Sequence, residues 1–278
     1  MCLITRMLHL YFFESVTIVF AVFFNLAFLT SYDCQLVINV KNQGGDIVQE
    51  TISSNTSADT ITLEFQRPEG TLITQFIDFK SEVQIFRVLV LGEEERGQSQ
   101  YQVLCFATQL SKNDFISADA MSKLRQRNPG AIRQPEEDRG KENLEMDLSI
   151  ELDKSSVISP HLPYLCDEAA HSAYAREIDL RAWASPKALS RDIVTLTSSV
   201  KRAPPPKPVR CNVNNNLWQP CQCRLEICVG WYPCGLKYCH GKDSSGKTIN
   251  YRCGIKTCRK CRAFDFFVQQ KQQCLWDE

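Results

Sequence analysis

The sequence predicts an α+β protein, in which a sheet-rich N-terminal domain with helices precedes a small, disulfide-rich C-terminal domain. Three observations support this prediction. Runs of β-branched residues recur before residue 110, helical periodicity occurs at 117–127 and 163–185, and ten of the fourteen cysteines lie within 211–278. The segment "KRAPPPKPVR" is too proline-rich for regular structure and is typical of a linker. We therefore predict domains at 33–185 and 211–278, joined by a basic, proline-rich linker at 186–210.

Residues 1–32 are predicted to be a signal peptide. Arg6 gives a positive start, and residues 16–29 are almost wholly apolar. Such a stretch is shorter than the roughly 20 residues that cross a membrane as a helix, and it is typical of a secretory signal. The alternative is an uncleaved anchor that reaches back to Leu8. No later segment is apolar enough to span a membrane, so we expect a secreted, extracellular protein with no membrane span after cleavage.

Strands are predicted where β-branched and aromatic residues cluster. The predicted strands are QLVINV at 35–40, TITLEF at 60–65, TLITQFIDF at 71–79, VQIFRVLVL at 83–91 and YQVLCFATQL at 101–110. The last two are apolar enough to lie in the middle of a sheet. One further half-buried strand is predicted at 144–152, where apolar residues alternate with polar ones without a break.

Two helices are predicted. The first covers 117–127, with Ser117 as its N-cap and Asn128-Pro129-Gly130 as its stop signal. Residues 130–143 are polar and highly charged, so we expect a mobile insert there. The second helix covers 163–185, where small and apolar residues recur at helical spacing.

The dense cysteines of the C-terminal domain are predicted to form disulfides, because secreted chains mature in an oxidising compartment. Zinc is the first alternative, with Cys234, Cys239, His240, Cys258 and Cys261 at ligand-like spacing. A redox role for the Cys258-x-x-Cys261 pair is the second. One zinc ion would leave six cysteines unpaired, whereas ten cysteines pair completely. We therefore expect no metal and no cofactor, and the spacing leaves the connectivity open.

Positive charge is concentrated in the C-terminal domain, although the whole chain is neutral. Residues 211–278 contain ten Lys and Arg residues against five Asp and Glu residues. A solvated face, a surface for acidic glycans and a contact with the acidic N-terminal half are all compatible with this pattern. The candidate basic patch comprises Arg252, Lys256, Arg259, Lys260 and Arg262.

Several long stretches resemble the Out at first family. They are "RPEGTLITQFIDFKSEVQIFRVLVLGEEERGQSQYQVLCF", "AMSKLRQRNPGAIRQ", "SPHLPYLC", "GWYPCGLKYCH", "CGIKTCRKCRAFDFFVQQ" and "CLWDE". The resemblance runs from about residue 45 to the last residue. It implies a secreted protein with a BRICHOS-like N-terminal domain, whose central sheet has a helix on each face, and a Cys-rich C-terminal domain.

The resemblance also implies roles for individual residues. Asp78 would be a structural carboxylate, and Cys105 would pair with Cys166. Three cysteines are additional to the family pattern, namely Cys34, Cys228 and Cys261. Two of them restore an even count in the C-terminal domain, so we predict that Cys228 pairs with Cys261. Cys34 is then left over, either free or linking two chains. The other cysteines predicted to form disulfides are Cys211, Cys221, Cys223, Cys234, Cys239, Cys253, Cys258 and Cys274.

The predicted function is a non-enzymatic binding or signalling module with a developmental role. The sequence has no nucleophile elbow, phosphate-binding loop or zinc-protease motif. An extracellular protein partner or an acidic glycan is expected, and no nucleic acid. The alternative is a BRICHOS-type chaperone that shields β-prone peptides on the sheet near Val83–Leu91. Asn55, in the sequon "NTS", is the predicted glycosylation site.

Overall fold

The structure, a computed structural model, consists mainly of two β-sheets. The structure describes residues 34–42, 44–92, 95, 98–111, 114–169, 171–185, 191–202, 208–242, 244–274 and 276. The predicted signal peptide lies outside the described residues. From Gln35 onward the described residues form one compact unit. The predicted domain boundaries stay a prediction.

The described strands are β1 Cys34–Lys41, β2 Ile47–Asn55, β3 Thr60–Gln66, β4 Leu72–Asp78, β5 Val83–Leu91, β6 Tyr101–Gln109, β7 Ile132–Arg133, β8 Glu137–Met146, β9 Leu148–Ile150, β10 Ala173–Ala175, β11 Val200–Arg202, β12 Cys221–Lys242 and β13 Thr248–Val268. The described α-helices are α1 Ala118–Ser122, α2 Leu162–Leu165, α3 Glu177–Trp183 and α4 Ile193–Ser198. Short 3₁₀ turns occupy Leu152–Val157, Asp167–Ala169 and Lys271–Gln273. The helices are therefore short, and none exceeds seven residues within the described part of the chain.

The predicted α+β fold, with a helix on each face of a BRICHOS-like sheet, is wrong. Of the residues that the structure describes, 51% are in strands and 16% in helices. One sheet has ten strands in the order β11-β9-β10-β6-β5-β4-β3-β2-β1-β7, and the second has three in the order β12-β13-β8. Strands β2 to β6 form an antiparallel meander. The fold is therefore built mainly by sheet packing.

The C-terminal hairpin, β12 with β13, covers one face of the large sheet. Residues 221–229 alternate between buried and half-buried, as expected for a strand with one face on a core. Phe264 of β13 stacks on Phe106 of β6, with ring centroids 4.4 Å apart, and contacts Phe86 of β5 at 5.3 Å. Tyr174 donates a hydrogen bond to the Phe267 carbonyl at 2.9 Å. The two parts of the chain thus share one hydrophobic core.

The opposite face of the large sheet carries the short helices. Its core combines Ile85 and Cys105 from the sheet with Leu162, Leu180 and Trp183 from the helical segments. Both faces of β5 are therefore covered: Ile85 lies in this core and Phe86 in the core shared with the hairpin. Most of the client surface predicted near Val83–Leu91 is buried.

Residues 130–152 differ from the prediction in two ways. The expected mobile insert contains β7 and most of β8, which pairs in parallel with β13 from Cys258 to Phe266. The expected single strand at 144–152 is divided at Asp147. Residues up to Met146 belong to the three-stranded sheet, while β9 belongs to the ten-stranded one. The unbroken alternation was real, but it could not show that the chain changes sheets.

The predicted helix at 163–185 is also wrong. That segment contains α2, a 3₁₀ turn, strand β10 and α3. Strand β10 pairs with β6 in parallel, with Ala173 opposite Cys105. Sheet pairing therefore overrides the local helical periodicity.

Candidate functional site

Six disulfides join the twelve cysteines that were predicted to be paired. The pairs are Cys105–Cys166, Cys211–Cys221, Cys223–Cys274, Cys228–Cys261, Cys234–Cys258 and Cys239–Cys253. Three of them link β12 to β13, and Cys228 lies directly opposite Cys261 in the hairpin register. The cysteines of the zinc alternative are thus bonded to other cysteines. Cys34 begins β1, and its side chain lies outside the described part of the structure.

Asp78 lies at the end of β4 and is 1% exposed. One carboxylate oxygen accepts the Ser81 N–H at 2.9 Å, and the other accepts the Ser159 hydroxyl at 2.7 Å. His161 Nε2 is 3.9 Å from the same carboxylate. In a catalytic triad the histidine, not the carboxylate, would accept the serine proton. This geometry joins the β4–β5 turn to the segment before α2, as a structural carboxylate would.

Asn55 is exposed at the end of β2. Its side-chain oxygen accepts the N–H groups of Ser57 and Ala58, both at 3.0 Å. This contact holds the sequon in a turn. Glycosylation of Asn55 stays a prediction.

The predicted basic patch is largely neutralised within the chain. Lys256 pairs with Glu137, Arg259 pairs with Asp138 at 2.7 Å, and Lys260 pairs with Glu142 at 2.9 Å. These three acids lie on β8, the strand next to β13, so parallel pairing places the two charged rows side by side. Arg252, by contrast, is exposed.

Arg262 is not a surface residue, since it is only 4% exposed. Its guanidinium contacts Gln84 at 3.3 Å and Asp114 at 3.5 Å, and it lies 5.1 Å from the centre of the Phe86 ring. Gln75 and Gln84 extend this polar network into the large sheet. Burial lowers the pKa of Arg262. Arg262 therefore links the hairpin to the N-terminal part of the chain.

Glu50 on β2 makes a second polar link to the hairpin. Its carboxylate accepts the N–H groups of Gly230 at 2.7 Å and Trp231 at 3.0 Å, where β12 has an irregular register. Burial raises the pKa of Glu50 to about 8, and the two backbone hydrogen bonds oppose that rise. A side chain at Gly230 would collide with Val40, so this close approach requires glycine. Glu50 thus fixes the irregular segment of β12 against the large sheet.

A groove of about 610 Å³ lies among α1, β1 and the middle of the hairpin. We call it the α1 groove. Leu36, Ile38, Leu124, Trp231, Leu236 and Ile255 form its apolar floor, and Lys123, Arg125, Arg133 and Arg252 form its basic rim. The groove therefore combines apolar surface with positive charge.

Much of the rim's charge is not neutralised by the chain. Lys123 pairs with the exposed Asp119 at 2.7 Å, and Glu136, the acid in the lining, pairs with Lys237 at 2.6 Å. Arg133 donates to the Asn128 carbonyl at 3.2 Å. The structure shows no acidic partner for Arg133 or Arg252 within its described residues. The α1 groove is therefore suited to an acidic ligand with apolar groups.

Most of this site is not predicted from the sequence. The pattern predicts a helix at 117–127 and an insert at 130–143, although "SKLRQRNPGAIR" contains four bases and no acid. Of the rim residues, only Arg252 is among the predicted site residues. A charge count over that window would have shown the basic segment, but the apolar floor depends on β1 and the hairpin.

The chain is similar to known proteins along most of its length. The family model described as "Out at first" matches residues 34–183, and the one described as "Out at first, C-terminal" matches residues 210–278. The Out at first protein of Drosophila virilis is 57% identical over 255 residues, which are 88% of this chain and 83% of the relative. The Drosophila melanogaster Out at first protein is 57% identical over 254 residues, which are 88% of this chain and 52% of the relative.

The chain thus spans about half the length of the Drosophila melanogaster relative. No solved structure matches the chain. None of the described helices is long and apolar enough to cross a membrane. Two matching family models and two relatives of this similarity together show that the chain belongs to the Out at first family.

Proposed function

We propose that this chain is a secreted, non-enzymatic extracellular protein with a developmental role, and that it binds an acidic segment of a partner protein in the α1 groove. The observation that supports this most strongly is the basic rim around an apolar floor. Six disulfides and no membrane-spanning helix in the described residues are consistent with an extracellular protein. The homologues support a developmental role.

The composition of the groove favours a protein ligand over a glycan. Trp231 and the aliphatic floor offer apolar surface, and aromatic anchors of this kind often dominate binding energy at protein interfaces. A sulfated glycan would use the cations and leave the floor uncovered. No specific observation favours the chaperone alternative, because most of its predicted client surface on β5 is buried.

The test uses labelled protein purified from the medium of expressing insect cells. Recovery of the protein in the medium, with an N-terminus near residue 33, would support secretion. Binding to fresh cells is then measured before and after treatment of those cells with protease or with heparin lyase. We expect protease to abolish binding and heparin lyase to leave it unchanged. Loss of binding only after heparin lyase would replace the protein partner with a glycan.

The control for the groove is a matched pair of charge reversals. Arg133→Glu combined with Arg252→Glu should reduce binding at least about tenfold, which corresponds to about 1.4 kcal/mol. Lys80→Glu combined with Arg181→Glu changes the net charge equally on other parts of the surface, in the β4–β5 turn and on α3. Equal losses from both pairs would contradict a site in the groove.

A further inference from the structure

Among the described residues, strand β1 has an incompletely paired edge beside the α1 groove. In the large sheet β1 lies between β2 and β7. Strand β7 has only two residues, and it pairs with β1 only at Asn39 and Val40. The preceding residues of β1 therefore extend beyond their short neighbour. Such an edge presents main-chain groups that can pair with another strand.

Gln126 occupies the position of a neighbouring strand at this edge. The Val37 N–H donates to the Gln126 side-chain oxygen at 3.1 Å, and the Gln126 side-chain nitrogen donates to the Val37 carbonyl. A side-chain amide has the same donor and acceptor as a peptide group. Both main-chain groups of Val37 are thus bonded to one side chain, 89 residues away in the sequence.

The floor of the groove begins on the same strand. Leu36 and Ile38, on either side of Val37, are buried and line the groove, because side chains alternate along a strand. An extended segment paired with β1 at Val37 would run along the groove. Its side chains on the face of Leu36 and Ile38 would meet the floor, and acidic side chains at the ends of that same face would meet Arg133 and Arg252.

We propose that the α1 groove binds an extended acidic segment of the partner protein as an additional strand on β1, and that this segment displaces the Gln126 side chain from Val37. This inference rests on the proposed function, and it specifies the mode of binding. Backbone pairing would supply affinity, while the alternating side chains would supply specificity, as in other cases of strand addition.

In this arrangement Gln126 competes with the ligand. Removing its side chain frees both Val37 groups before binding, so the ligand no longer has to break these two hydrogen bonds. Gln126→Ala should therefore bind about fivefold to tenfold more tightly. A residue that only shaped the groove would give weaker binding on truncation.

The experiment measures fluorescence anisotropy with the secreted protein and labelled probe peptides. One probe is an eight-residue peptide whose alternate, groove-facing positions are glutamate, valine, valine and glutamate, with threonine at the positions between them. The charge control has lysine in place of each glutamate. Two further glutamate probes carry N-methyl groups on alternate peptide nitrogens, so that each blocks one hydrogen-bonding edge of the peptide. We expect binding of the glutamate probe, tighter binding to Gln126→Ala, and a loss of at least about tenfold for only one methylated edge.

Other outcomes would overturn strand addition without overturning the proposed function. The double variant Arg133→Glu with Arg252→Glu could weaken binding while Gln126→Ala and both methylated probes give the affinity of the unsubstituted protein for the unmethylated probe. The groove would then bind acidic peptides without strand addition. If Gln126→Ala forms dimers without peptide in light scattering, a second copy occupies the edge. If a heparin oligosaccharide binds and the glutamate probe does not, the ligand is a glycan. If neither binds and the charge reversals do not alter cell binding, the proposed function fails as well.

Discussion

Two groups of basic residues in this protein carry the same charge in opposite surroundings. Lys256, Arg259 and Lys260 on β13 face the acidic residues of β8 and form ion pairs with them. Arg133 and Arg252 lie on the rim of an apolar groove, with no acidic partner among the described residues. A basic sequence segment can therefore serve as a binding surface only where the fold leaves its charge uncompensated.

The largest expected effect is on the free energy of unfolding, and it distinguishes a basic residue buried among partners from one on the exposed rim. Arg262→Ala removes a buried cation that contacts Asp114 and the Phe86 ring. Arg139 and Lys260 stay within 3.6 Å of Asp114 and compensate part of its charge, so we expect a loss of about 2–3 kcal/mol in the free energy of unfolding. Arg252→Ala, on the exposed rim, should change it by less than about 0.5 kcal/mol. Urea denaturation with the disulfides intact measures both. Similar losses for the two variants would show that Arg262 contributes no more to stability than the exposed Arg252 does.

The pH dependence of stability gives the next effect. The pKa of Glu50 is about 8 in the folded chain and near 4.5 when unfolded. As the pH rises from 5 to 7.5, the unfolded state releases this proton first, so stability falls, by roughly 2–3 kcal/mol from this group. This contribution should be absent in Glu50→Gln.

The measurement for Glu50 is urea denaturation of both proteins at pH 5 and pH 7.5. The difference between them isolates this group from other titrating residues. Gln49→Ala, a substitution of an exposed neighbour that does not titrate, should keep the slope of the unsubstituted chain. If Glu50→Gln shows the same change in stability between pH 5 and pH 7.5, Glu50 is not a buried carboxyl group with a raised pKa.

Salt concentration should have a smaller effect, and it should act on the exposed basic rim of the α1 groove but not on the buried Arg262. Raising the salt concentration from about 0.1 M to about 1 M shortens the Debye length from about 10 Å to about 3 Å. Binding of the glutamate–valine probe should weaken several-fold, because it depends on exposed charge. The contribution of Arg262 to stability, measured as in the first test, should change little. Salt-independent binding of the probe would indicate that the basic rim contributes nothing.

Much of the large sheet could be predicted from local sequence. The apolar run at 83–91 coincides with β5, and the runs at 60–65 and 101–110 fall on β3 and β6 within one residue at each end. Ser117 caps α1 as expected, since its side chain accepts the Ala120 N–H, but α1 ends at Ser122 and not at the predicted stop at 128–130. These predictions are correct because strand pattern and helix capping depend on residues that are neighbours in the sequence.

The features that failed depend on residues far apart in the sequence. Residues 221–229 alternate in character, but treating their cysteines only as disulfide partners hid a strand with one buried face. The acids of 137–142 looked like those of a solvated insert, because their partners on β13 are about 120 residues away. The α1 groove could not be predicted for the same reason, since its floor combines residues of β1 with residues of the hairpin.

We expect the α1 groove, and not the basic row of the hairpin, to bind the partner. The most direct measurement compares cell binding by two double charge reversals, Arg133→Glu with Arg252→Glu and Lys256→Glu with Arg259→Glu. We predict that the groove variant loses at least about tenfold in affinity at unchanged melting temperature, and that the hairpin variant melts lower but binds as before. Loss of binding by the hairpin variant alone would contradict the account.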